Sequence, residues 1–178
     1  MTPSELEEYK NLRDTIRERG TARIWIVLAG ISGWASLVIA TAALAALPVA
    51  TLLPLIVLAT AFEIVFALHT SVERIGRYIQ VFFESSDAPG WEHTAMTYGK
   101  TYGGGIDPLF ANFFRIATIV NFIPAVYANP RPVEWGVVGV VHLLFIVRML
   151  WAVRATGRQR ATDLERFQAL KRQRNSGI

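Results

Sequence analysis

The sequence predicts an all-α, polytopic membrane protein with four transmembrane helices, both termini cytoplasmic, and amphipathic helical extensions outside the bilayer. Three observations carry this. Hydrophobic residues make up 52% of the 178 residues and charged ones only 18%, against a usual charged share of about a quarter. The apolar residues stand in long blocks and not at amphipathic spacing. The cations gather before the first block, between the second and third, and after the fourth.

Residues 1–23 form a basic leader. Ser4-Glu5-Leu6-Glu7 has the form of a capping box and Gly20 that of a helix stop. Tyr9, Leu12 and Ile16 share one side of the implied helix, with Lys10, Arg13 and Arg17 in a basic stripe. That suits a helix on the inner leaflet, with anionic lipids as its partner, or one packed on the rest of the chain. The polar leader and the long block after it do not match a signal peptide, which has a short charged start and about 7–15 apolar residues. Ala43-Leu44-Ala45 nevertheless has the small-residue form of a cleavage site.

Residues 24–47, 49–68, 109–128 and 133–153 are each long enough to span, given that a bilayer takes about 20 apolar residues. The first block carries no charge, the second holds Glu63, the third Arg115, and the fourth His142 and Arg148. The third is also interrupted by Asn121 and has Pro124 near its end, features that bundled membrane helices tolerate. Pro48 leaves so little chain between spans one and two that a tight antiparallel hairpin is expected. The link Asn129-Pro130-Arg131-Pro132 is also short, so no extracellular binding domain is expected. Trp25, Tyr127, Trp135 and Trp151 sit near span ends, where aromatic belts form.

Arg131 is the only cation in the two loops opposite the basic segments. This positive-inside asymmetry places both termini and residues 84–108 in the cytoplasm. The net charge of +4 is then a topological signal, and nucleic acid is not an expected partner. Cysteine is absent, which excludes disulfides and thiolate chemistry. Arginine outnumbers lysine fifteen to three and alanine is abundant, a composition that suggests a GC-rich bacterial genome and the inner membrane.

Val65, Leu68, Val72, Ile75, Ile79 and Phe82 recur at three- and four-residue steps, so helix two is expected to continue past the membrane. Its outer stripe, Val72, Ile75, Ile79 and Phe82, must be covered by the chain's own tails or by another subunit, and is therefore a candidate partner interface. Glycines and prolines predict irregular structure over residues 84–108. Thr162-Asp163-Leu164-Glu165 predicts the start of a separate short helix with Leu164, Phe167 and Leu170 on one face.

Few residues are chemically costly enough to need a reason. Glu63, Arg115 and Arg148 lie roughly 8–9 Å from the cytoplasmic ends of three spans. A lone charge there costs at least about 2.5–3.5 kcal/mol on insertion scales, so a buried cluster is expected. It could serve as an ion or proton relay, bind an anionic headgroup, or lock helix register. His142 falls near the midplane, where a histidine can ligate haem or a chlorophyll-type pigment, or hydrogen-bond a neighbouring helix. His69 lies roughly 16 Å away in depth, too far for paired ligation.

His69, Glu73, Glu92 and His93 lack any recognised metal spacing, and i,i+4 pairing of His69 with Glu73 suffices to explain them. Gly99-Lys100-Thr101 lacks the earlier glycine of a phosphate loop, since position 94 is threonine. No nucleophile arrangement is visible. The expected function is a non-catalytic accessory or assembly subunit of a larger membrane complex, and the expected protein partners are other membrane subunits or further copies of the chain. The alternatives are a small ion- or proton-conducting protein centred on Glu63 and a haem- or pigment-binding subunit using His142.

Overall fold

A computed structural model describes residues 1–43, 47–85, 89–102 and 109–177. The residues at the expected hairpin tip and cleavage-like site (44–46), and much of the middle segment (86–88 and 103–108), lie outside these. The described residues contain five α-helices and no strand: α1 (Pro3–Ala43), α2 (Leu52–Phe82), α3 (Trp91–Tyr102), α4 (Ala111–Tyr127) and α5 (Pro132–Asn175), with a 3-10 turn at Pro48–Thr51 before α2. The helices α1, α2 and α5 are long and apolar enough to cross a membrane. The 17 residues of α4 extend about 25 Å, slightly less than a hydrocarbon core of about 30 Å.

Three local signals are overruled. The reciprocal cap of α1 forms at Thr2 and Glu5, not at Ser4: the Glu5 N–H donates to Thr2 Oγ1 (3.2 Å) and the Thr2 N–H to Glu5 Oε2 (2.7 Å). Gly20 does not end the helix, which runs on to Ala43. A mid-helix glycine costs about 1 kcal/mol relative to alanine, less than breaking a hydrogen-bond ladder already formed on both sides. Thr162 does not start a helix either. Its hydroxyl donates to the Arg158 carbonyl within α5 (3.2 Å), and Asp163 accepts from Arg74 instead of capping.

The chain divides into two compact units. The apolar unit comprises Arg23–Ala67 and Asp107–Val153. Phe62 is fully buried at its centre, with ring centroids 5.4 Å from Phe114 and 6.0 Å from Phe145, both edge-on. Leu58, Val65 and Met149 complete the contact. The helices α1 and α2 approach very closely at Gly30, where an added Cβ would lie 2.5 Å from that of Ala61. Three residues on, Gly33 faces Val57, so residue numbers run in opposite senses and the pair is antiparallel.

The polar unit comprises Met1–Ala22, Leu68–Ile106 and Arg154–Ile178. Aromatic rings bind it together: Tyr9 on Phe83 (5.6 Å), Tyr78 on Phe82 (4.7 Å), and Phe167 against both Tyr78 (5.6 Å) and Phe82 (6.4 Å). Tyr78 also donates to Glu8 (2.8 Å), and Lys171 to the Val81 carbonyl. The segments before and after the apolar blocks thus pack on the extension of α2. Residues 91–102, expected to be irregular, are helical because Glu84 caps them. Its carboxylate accepts the backbone N–H groups of Glu92 (2.9 Å) and His93 (3.0 Å), two donors a helix start leaves unsatisfied. Gly90 permits the approach, since a Cβ there would lie 2.5 Å from Glu84 Oε1.

Candidate functional sites

Of the three charges set in apolar blocks, Glu63, Arg115 and Arg148, two meet. Arg148 donates to Glu63 at 2.7 Å, and its guanidinium lies 4.9 Å from the ring centres of both Phe66 and Trp151. Arg115 turns its Nε back to the Ala111 carbonyl of its own helix (3.1 Å) and makes no salt bridge among the described residues. The expected cluster is therefore a pair. The carboxylate and guanidinium remain 45% and 31% exposed, so the pair sits at the periphery of the apolar unit and not on an interior path.

His142 belongs to a buried polar knot. Asn121, fully buried, donates from Nδ2 to the Thr51 carbonyl (2.8 Å) and to His142 Nε2 (2.9 Å), and its Oδ1 accepts from Trp34 Nε1 (3.0 Å). Those partners fix which amide atom points where: a carbonyl can only accept and an indole N–H can only donate. They fix the imidazole too. Nε2 accepts from Asn121, so the proton is on Nδ1, which donates to the Val138 carbonyl (2.8 Å). The lone pair that would ligate iron or magnesium is already engaged. Asn121 thus ties α1, the 3-10 turn, α4 and α5 together, with His142 as its partner on α5.

The stripe on α2 is in good part covered by the chain itself. Ile79 is fully buried, Val72 and Ile75 are half-buried, and Phe82 packs against Tyr78 and edge-on against Phe167. Tyr9 and Arg13 of the leader also face inward, to Phe83 and Glu92.

A site the sequence does not announce lies in the polar unit. A cavity of about 300 Å³ opens among the leader part of α1, the outer part of α2, α3 and the outer part of α5. Its charged lining is Arg13, Glu73, Arg77, Glu92 and Arg160. Arg13 pairs with Glu92 (2.7 Å); Arg160 pairs with Glu73 (2.7 Å), which Arg77 reaches at 3.5 Å. Arg77 is 6% exposed and otherwise meets Gln80 Oε1 (2.8 Å) and the Met96 sulfur. Burial pushes its pKa below the ordinary arginine value; Glu73 opposes this and the like charge of Arg160 adds to it. Arg13 is raised, since the hydrogen bond to Tyr9 and the charge of Glu92 outweigh the lowering by burial, the largest single influence.

These pairings also account for Glu73, Glu92 and His93, the last of which contacts Glu84 through Nδ1 (2.7 Å). Among the described residues no group of three or more histidine, aspartate or glutamate side chains could hold a metal ion. Gly99 and Thr101 lie in the last turns of α3, not in a phosphate loop. The chain matches no protein-family model, and the comparisons with curated proteins and with solved structures found no match.

Proposed function

We propose that this protein is a non-catalytic accessory or assembly subunit of a membrane complex. In this reading α4 also crosses the membrane, as the third of four spans, and both termini and residues 84–108 are cytoplasmic, as the cation distribution requires. Basic residues of the polar unit then face anionic headgroups. One observation carries the reading. Among the described residues, the four buried polar side chains of the apolar unit, Thr51, Thr118, Asn121 and His142, all spend their hydrogen bonds on one another, on the Trp34 indole or on backbone. A conducting path needs groups free to exchange partners across the full depth, and a cofactor site needs a free ligand atom.

The helix that remains least covered is α1. In its most apolar stretch 6% of residues are buried within the chain, against 39% for α2, which leaves most of a span available to lipid or to another subunit. The test is purification in mild detergent with mass determination. The expected result is a stable assembly, with other membrane proteins or with copies of itself, that is colourless and passes no ions in proteoliposomes. A lone 19.8 kDa chain, or ion flux abolished by Glu63→Gln, overturns it. Reporter fusions at residues 95 and 131 should report opposite sides of the membrane.

A further inference from the structure

The cavity in the polar unit is electrostatically incomplete. Three guanidiniums, Arg13, Arg77 and Arg160, share two carboxylates, Glu73 and Glu92. Including the neighbouring Arg74–Asp163 pair (3.5 Å) gives four cations against three anions, the same excess of one. Glu84, the next carboxylate, is taken by the N-terminus of α3 and His93. The excess falls on Arg77, whose nearest carboxylate is shared and at 3.5 Å, and whose other partners are a neutral amide and a thioether. A cation so buried is costly until an anion meets it. The remaining lining is apolar: Ile16, Val72, Ala95 and Met96, with Trp91 (70% exposed) standing toward solvent.

We propose that this cavity binds a small organic oxyanion, a single carboxylate or phosphate carried on an apolar or aromatic body. The charged end sits among the three arginines, whose planar guanidiniums match oxyanion geometry, and the body lies against Met96 and Trp91. The volume, about 300 Å³, is at the low end of ligand pockets, which run about 300–1,000 Å³, so the ligand is a small one. The site does not depend on the accessory-subunit reading, because every residue in it belongs to one compact unit.

Calorimetric titration of the 178-residue chain in a neutral detergent tests this, with phenyl phosphate as probe and inorganic phosphate as the control lacking a body. Saturable binding of phenyl phosphate with a dissociation constant below about 1 mM is expected, with inorganic phosphate binding more weakly. Arg77→Gln should weaken phenyl phosphate at least about tenfold, the worth of a charge-assisted hydrogen bond. Should that variant fail to fold, Ala95→Phe fills the cavity while keeping every charge, and should abolish binding. The absence of saturable heat up to about 10 mM overturns the proposal, as does an Ala95→Phe variant that binds like the parent. A repeat in lipid nanodiscs identifies the source of the anion. Suppression of phenyl phosphate binding by phosphatidic acid, but not by phosphatidylcholine, makes it a lipid headgroup. Unchanged binding makes it a soluble compound.

Discussion

Replacing Asn121 with leucine keeps the four heavy atoms and the branch of the side chain and removes its hydrogen-bonding chemistry. Three hydrogen bonds are lost at once: those to the Thr51 carbonyl, to His142 Nε2 and from Trp34 Nε1. Hydrogen bonds between membrane helices average about 0.6 kcal/mol and reach about 1.7. Three of them, centred on a fully buried side chain, amount to about 2–5 kcal/mol. Thr118→Val is the matched control. It removes one buried hydroxyl whose bond goes to the Phe114 carbonyl of its own helix (2.7 Å), and should cost less than about 1 kcal/mol. The assay is reversible denaturant unfolding in bicelles, followed by the far-ultraviolet helix signal. A double-mutant cycle with His142→Phe should give a coupling of about 0.6–1.7 kcal/mol. The reasoning fails if Asn121→Leu costs no more than Thr118→Val, or if the two changes simply add.

Glu63→Gln should lower the detergent melting temperature, costing about 1–3 kcal/mol, less than for a fully buried pair because both groups are partly exposed and Arg148 keeps its two aromatic neighbours. Arg148→Gln should recover part of that loss in the double variant and Arg115→Gln none; equal recovery by both would break the assignment of partners. Burial alone would raise the Glu84 pKa, but the N–H groups of Glu92 and His93 together with the His93 ring hold it below the usual carboxylate range. Its stabilisation is therefore complete above the unfolded-state value of about 4.3 and is lost as pH falls through the lower folded value. Melting curves from about pH 3 to 7 should show Glu84→Gln less stable than the parent at the upper end, with the gap closing toward the acid end; a constant gap refutes this.

The three long apolar helices were legible because hydrophobic blocks of that length have few other uses, and the continuation of α2 because its three- and four-residue spacing does not stop where the hydrophobicity does. Helix ends were less legible. Gly20 and the Thr162 box are real local preferences worth about 1 kcal/mol each, and a ladder continuing on both sides outweighs them. The helix α3 was missed because its cap, Glu84, stands eight and nine residues before the N–H groups it accepts, outside any capping motif. The cavity was invisible for a stronger form of the same reason: Arg13 and Glu92 are 79 residues apart, Glu73 and Arg160 87. Asn121 is the instructive intermediate. In the sequence it interrupts an apolar block, and a polar side chain that expensive in such a block is itself the sign that it holds something.

The internal covering of the α2 stripe changes where assembly should be sought. Ile79 is fully buried and Phe82 is packed within its own unit, so aspartate at Ile75 and Ile79 would disrupt the packing of the polar unit before it could dislodge a partner. Loss of assembly in such a variant would say nothing about an interface. The outward residues of α1 are better suited: Ile24, Trp25, Leu28 and Ile39 are each more than half exposed, so exchanging them for other apolar residues removes less internal packing than a change at Ile79. Because lipid solvates leucine and alanine almost equally well, changes of shape there alter packing against another helix far more than insertion. A shift in oligomeric mass on changing shape at Leu28 or Ile39, with the melting temperature of the polar unit unmoved, would locate the interface on α1, whereas a mass indifferent to both would leave that face to lipid.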